Sequence, residues 1–287
     1  MIWQELGLPG LADVHVHFLP EPVMRKVWGF FDAAQQHYGT PWPVQYRLPQ
    51  DERLAILRAL GVRAFPALVY PHKPGMAGWL SSWALDLAAA EPDVVASATF
   101  YPEPSAVGEV ETALARGARL FKAHVQVGGY DPRDPLLDPV WGLLAEAGVP
   151  TVIHCGDGPI PGRHTGIGPM AEVLARHPRL PLVIAHAGAP RYEDFVDLAE
   201  RHDGVALDTT MVFTDFMART APFPAALVPR IRDLGLAGSV MLGTDFPNIP
   251  YAYERQIEAL VRVDLGDQWL REVLWYAPGR VLGLVDG

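Results

Sequence analysis

Apolar residues in this chain fall into two alternating rhythms. Short runs that read as strands occupy 11–18, 62–70, 94–100, 119–127, 150–155, 180–188, 204–210 and 239–246. Between them, apolar positions spaced three and four apart predict helices over 51–60, 77–90, 105–116, 138–147, 168–177, 191–202, 224–234 and 251–263. Several strands follow a glycine-containing helix stop, as in "ALGV", "ARGAR" and "EAGVP". Strand–helix alternation at this spacing implies parallel strands joined by right-handed crossovers. Eight such units predict an α/β fold closed as a (β/α)8 TIM barrel. An open doubly wound sheet is the alternative, but the glycine-rich phosphate loop usual after its first strand is missing. Residues 19–50, rich in proline and aromatics, form an insertion after strand 1, and 267–284 add one or two C-terminal helices. No linker breaks the pattern, so one domain is expected over 1–287.

Composition narrows the partners. With 23 Lys and Arg against 33 Asp and Glu the net charge is −10, and no basic cluster could neutralise a run of phosphates, so nucleic acid is not expected as a partner. The single cysteine, Cys155, excludes an internal disulfide and fits a reducing compartment. The segment "MIWQELGLPG" has no basic stretch followed by an apolar run, and no stretch is apolar for the ~18 residues of a membrane span. A soluble, cytoplasmic enzyme or binding protein is the expectation.

The candidate chemistry begins at "DVHVHFLP", residues 13–20. Alternation on a strand places His15 and His17 on one face and Val14, Val16 and Phe18 on the other. Alone, the pair reads first as hydrogen-bonded polar side chains and only second as half of a metal site. In a barrel, however, active groups sit at the C-terminal ends of strands. His15 and His17 end the first predicted strand, Lys122 and His124 lie on the fourth, His154 ends the fifth, His186 the sixth and Asp245 the eighth. This convergence favours a metal site. Three imidazoles and a carboxylate suit Zn²⁺ best and tolerate Mn²⁺, Fe²⁺ or Co²⁺. An inward Lys122 is costly to bury, so it should meet a carboxylate, a substrate or the metal centre.

Four motifs in series, "DVHVHF", "VIHCGDGP", "VIAHAG" and "LGTDFP", resemble the amidohydrolase superfamily. The branch they resemble is amidohydrolase family 2, related to aminocarboxymuconate-semialdehyde decarboxylase. The resemblance spans 11 to about 284, with "APGRVLGL" standing for the closing helix although it lacks the usual Asn and Arg-Leu pattern. It implies that His15, His17, His154 and Asp245 ligate one divalent metal ion, with His186 as the acid/base and His186 or Asp245 relaying the proton to the leaving group. In binuclear relatives a carboxylated strand-four lysine bridges two metals, which would give Lys122 that role. The implied activity is metal-dependent hydrolysis, with activated water attacking an amide, ester or lactone of a small, carboxylate-bearing substrate. The alternative is a carboxy-lyase removing carbon dioxide from an unsaturated or aromatic acid. A degenerate barrel without chemistry would lack a ligand, and none is missing.

Other positions keep two readings. Asp13 serves as a buried structural hydrogen-bond acceptor or supports the histidines from behind. His186 could be a satisfied strand histidine, and Asp245 could shape the turn "FPNIPY". His72, Asp157, Arg163, His164 and Asn248 follow strands and should line the mouth; Arg163 and His164 would meet a substrate carboxylate or remain ordinary solvated charges. His37, His177 and His202 read as surface residues, and Cys155 as packing. The aromatic insertion is either a lid or an oligomer contact, which would make a homodimer.

Overall fold

The computed structural model describes residues 1–284. Its strands are β1 (Leu11–Ala12), β2 (Val62–Pro66), β3 (Val94–Val95), β4 (Ser97–Thr99), β5 (Leu120–His124), β6 (Thr151–His154), β7 (Leu182–Ile184), β8 (Val205–Asp208) and β9 (Val240–Met241). Every ladder is parallel, in the orders β1-β2-β3 and β4-β5-β6-β7-β8-β9. β3 and β4 are one strand interrupted at Ala96. The other seam is spanned by backbone hydrogen bonds: Val14 N to Leu242 O at 2.9 Å, Asp245 N to His15 O at 2.8 Å and His17 N to Phe246 O at 2.7 Å. A parallel bridge between Val16 and Phe246 lies on the same seam. The last strand thus meets the first, and the chain closes as a (β/α)8 barrel.

Each predicted strand and helix is present, but the strands are shorter than expected at their C-terminal ends. The cause is visible on the first strand. The His15 amide donates to Asp13 Oδ1 at 3.0 Å instead of a neighbouring strand, a local side-chain bond that competes with the ladder. The sixth predicted strand stops at Ile184 because His186 and Ala187 adopt left-handed backbone, φ 55° and 47°. The fourth gives way at His124 to a short helix, Val125–Gly128, whose Val127 amide donates to the His124 ring at 3.3 Å. The residues that end the strands are those expected to carry chemistry.

Side-chain parity sets what the barrel holds. Ala12, Val14, Ala64, Leu120, Val152, Val183 and Met241 point inward and form a buried apolar cluster with Ala277 and Leu282 of the C-terminal helix Ala277–Leu282. That helix plugs the bottom, so "APGRVLGL" does close the fold despite its atypical sequence. The opposite parity (Phe121, Ile153, Ile184, Leu207) packs beneath the surrounding helices. Two steps above Leu120 and Val152, the inward positions are Lys122 and His154. The insertion after strand 1 folds as helices Glu21–Asp32 and Ala34–Tyr38, and Val27, Phe30, Phe31, Tyr38 and Trp42 from it line the barrel mouth. No described helix is long and apolar enough to cross a membrane.

Leu282 is 2% exposed at the barrel bottom, remote in the fold from the strand C-termini. Leu282→Ala should destabilise the protein by about 2–5 kcal/mol, the cost of a buried large-to-small change. Urea unfolding would measure it, and a loss below about 1 kcal/mol would show that the helix does not plug the barrel.

Candidate metal centre

His15 and His17 leave the first strand on the same side and converge with Asp245 from the far side of the seam. His17 Nε2 lies 3.0 Å from Asp245 Oδ1 and 3.2 Å from His15 Nε2, and His15 Nε2 lies 3.8 Å from the same carboxylate oxygen. The three donor atoms form one group within 4.8 Å. Asp245 reaches it from left-handed backbone, φ 68°, which its amide stabilises by donating to His15 O.

The outer nitrogens decide what the inner ones present. His15 Nδ1–H donates to Asp208 Oδ2 at 2.8 Å, and His17 Nδ1–H donates to the Leu68 carbonyl at 2.9 Å. With both protons committed outward, each Nε2 turns a lone pair toward the other and toward a carboxylate oxygen. Three lone-pair donors facing one point repel unless a cation stands among them. A tetrahedral ion with ligands at about 2.1 Å would hold them about 3.4 Å apart, close to what is seen. The donor set therefore fits a divalent metal.

Electrostatics favour the ligating forms. Burial holds His15 well below its ordinary pKa, with the Lys122 ammonium adding to the effect, so its imidazole is neutral. Burial would raise the Asp245 carboxyl, but the closeness of the His17, His15 and His186 rings outweighs it and holds the group below the usual range. Asp13 is pushed up to about 7 by burial, against hydrogen bonds from Thr244, the His15 amide and Tyr253. Its contacts are those of a buried hydrogen-bond acceptor, the first of its two sequence readings.

His154 departs from the expected ligand set. Its Nε2–H donates to the Gly158 carbonyl at 2.8 Å, and its ring stacks on His124 at 4.1 Å, so it adjoins the trio without joining it. Strand parity brought it to the site; the following "GDGP" turn, which sequence could not fold, occupies its nitrogen. Burial, followed by His186 and Lys122, lowers its pKa to about 3. His186 lies edge-on to His15 and His154, at 5.3 and 4.9 Å between ring centres. Its Nδ1–H donates to the Thr210 carbonyl at 3.2 Å, which leaves Nε2 as its open nitrogen. Lys122 is fully buried with Nζ 3.1 Å from His15 Nε2; it meets a histidine rather than a carboxylate, and burial lowers it to about 8.

His15, His17, Lys122, His124, His154, His186 and Asp245 line one cavity of about 1350 Å³. Asn248 lines it too, with a buried Oδ1 that has no partner among the described residues. Arg163 and His164 do not line it, contrary to expectation. Arg163 is exposed, and His164 Nδ1 turns to Asp131 Oδ2 at 3.3 Å because that carboxylate, already held by Arg133, lies beside the loop. Cys155 packs in the outer core, its thiol pushed up to about 12 by burial.

Sequence reading missed Asp208. Besides His15 it accepts from the backbone amides of His186 and Thr210, at 2.8 and 3.0 Å. Its signal was there: "ALDTT" ends the seventh strand with an inward carboxylate, at the level where the other strands present theirs. Asp208→Asn should keep the fold but weaken divalent-metal binding by ~10–100-fold, because the amide no longer fixes the His15 tautomer. Metal titration of the variant would show this; unchanged affinity would reduce Asp208 to a loop anchor.

Solved structures share the architecture. An uncharacterised TIM-barrel protein from Bordetella bronchiseptica is 16% identical, with 96% of this chain and 98% of that one covered at a TM-score of 0.76. An amidohydrolase from Burkholderia multivorans, solved with bound zinc, is 16% identical over 96% and 99% of the two chains, TM-score 0.64. The 5-carboxyvanillate decarboxylase of Novosphingobium aromaticivorans, solved with manganese and 4-hydroxy-3-methoxy-5-nitrobenzoic acid, is 15% identical over 98% and 97%, TM-score 0.65. Among curated proteins, none matches the chain. The profile of the amidohydrolase family matches residues 12–284, from the strand that carries the two histidines to the helix that plugs the barrel, and the chain belongs to that family.

Proposed function

We propose that the protein is a metal-dependent hydrolase acting on an amide, ester or lactone, with Zn²⁺ as its ion. The observation that carries this reading is the trio of His15, His17 and Asp245, each histidine tautomer fixed from outside, on the floor of a large cavity. His15, His17 and Asp245 would hold the ion, and His154 would join them only if its Nε2 left the Gly158 carbonyl. Two nitrogens and an oxygen suit zinc, and the zinc in the Burkholderia relative supports the choice. When bound, the ion would activate water and polarise the substrate carbonyl.

The chain's own residues supply the rest. Asp208 holds His15 by its side chain and His186 by its backbone, so the ligand and the proton carrier share one anchor. Burial lowers the pKa of His186, which keeps the ring neutral and able to take a proton at Nε2. The same nitrogen can return that proton to a leaving group. Asn248 Oδ1 offers an acceptor to a substrate N–H or O–H.

A carboxy-lyase would use the same residues, and the likeness to the Novosphingobium decarboxylase is what supports that second reading. Water labelled with oxygen-18 separates them: hydrolysis places label in the product carboxylate, whereas loss of carbon dioxide need not.

Purified protein should carry close to one divalent ion per chain, and His17→Ala should lose it. His186→Asn should keep the ion and the fold, while turnover of phenyl acetate or acetanilide falls by ~10²–10⁴-fold, the loss typical of a missing acid/base. Elemental analysis and rate are to be measured on the same preparations. Loss of metal from His186→Asn as complete as from His17→Ala would make His186 a ligand and favour a two-metal centre with Lys122.

A further inference from the structure

The chain has three lysines and twenty arginines. All three lysines (Lys26, Lys73 and Lys122) line the one large cavity, and no arginine does. The arginines serve elsewhere: Arg58, Arg116 and Arg230, for example, pair with surface carboxylates. Lys122 belongs to the floor. Lys26, from the insertion helix Glu21–Asp32, and Lys73, from the loop after β2, are exposed at the mouth. Among the described residues neither has a carboxylate within 4.0 Å, although acidic residues outnumber basic ones in this protein. Both act on the same imidazole: burial first, then Lys73 and Lys26, lower the pKa of His72, which also lines the cavity. Two ammonium groups with no carboxylate partner among the described residues thus line the same cavity as His72. The acidic lining residue Asp157 is engaged by Thr165 and lies 3.9 Å from Arg191.

Much of the cavity lining is apolar. Phe30, Trp79, Val127 and Ile160 are each at least 40% exposed yet all line this cavity, an arrangement that leaves large apolar surface in water unless something covers it. The volume, about 1350 Å³, exceeds the roughly 300–1,000 Å³ of ordinary small-molecule pockets. A small acid gripped by an arginine fork, as expected from "PGRHTG", finds neither the arginine nor a matching size.

We propose that the substrate is an extended amphipathic anion. Its reacting group lies at His15, His17 and Asp245, an apolar body the size of one or more rings runs along the aromatic wall, and a distal anionic group is held at the rim by Lys26 and Lys73. This deepens the hydrolase reading and rests on it for which end reacts. Lysine suits the outer position: a mobile, hydrated point charge captures an anion at an open rim without the fixed fork of arginine.

The test is binding of two matched probes, biphenyl-4-sulfonate and biphenyl-4-methanol, followed by tryptophan fluorescence, since Trp42 and Trp79 line the cavity. The metal-loaded protein should bind the sulfonate ~10-fold tighter than the alcohol at low salt, and lose that preference near ~0.5 M NaCl through screening. In the Lys26→Gln/Lys73→Gln double variant the preference should fall below ~2-fold at low salt. Phe30→Ala should weaken both probes. A sulfonate preference that survives in the double variant would put the anion on the floor, beside Lys122, and overturn the proposal. So would equal binding of the two probes by the unmodified protein, or no binding of either. Metal content and phenyl acetate turnover of the unmodified protein, measured alongside, report separately on the hydrolase reading.

Discussion

The carboxylate of Asp208 is the interaction on which the candidate centre depends. One oxygen accepts a hydrogen bond from His15 Nδ1–H, and the other accepts the amides of His186 and Thr210. Three strand ends of the barrel rim, the first, sixth and seventh, are thereby fixed to a single fully buried group. A buried carboxylate without such donors would be costly; here its partners are the elements that must be held in place. The cost of burial and the placement of the site are met by the same hydrogen bonds. Gly243 belongs to this packing: a Cβ there would come within 2.4 Å of Thr210 Oγ1 and 3.0 Å of Asp208 Cγ, so only glycine lets the last strand pass so close.

Stability and chemistry are separated along the barrel axis. At the bottom, inward side chains are small and aliphatic and are sealed by the C-terminal helix. At the top, the same inward parity delivers Lys122, His154 and Asp208, while a bend at Val14 turns His15 and His17 inward from the first strand. The top is also where backbone strain collects, with His186, Ala187 and Asp245 all at positive φ. Non-glycine residues in that region cost roughly 1–2 kcal/mol each, a cost the aliphatic core below can absorb. The amides of His186 and Asp245 are both hydrogen-bonded, to Asp208 and to His15, which is how the strained geometry persists.

The insertion after strand 1 turns an open barrel mouth into a deep cavity. Its helix Glu21–Asp32 brings apolar rings and Lys26 over the floor, and Trp42 Nε1 donates to the Asn248 carbonyl at 2.6 Å. That bond ties the insertion to the loop that follows Asp245. Arg53, buried beneath it, stacks on Phe18 at 4.9 Å and Trp28 at 5.7 Å. The insertion is thus coupled through backbone to the loop that carries Asp245.

The sequence by itself determined the alternation of strands and helices, the barrel they close, and which residues stand at strand ends. These follow from local periodicity and from the two-residue repeat of a strand, both of which are properties of short segments. It therefore led to His15, His17, Lys122, His154, His186 and Asp245. Only the tertiary structure decided which of their atoms meet, because that depends on distances between groups far apart in the chain. Asp208, 193 residues from His15, fixes its tautomer. The Gly158 carbonyl takes the nitrogen that His154 was expected to give a metal, and Asp131 draws His164 away from the cavity. The grouping of all three lysines in one cavity was equally invisible, since each lies on a different element and only barrel closure brings those elements to one mouth.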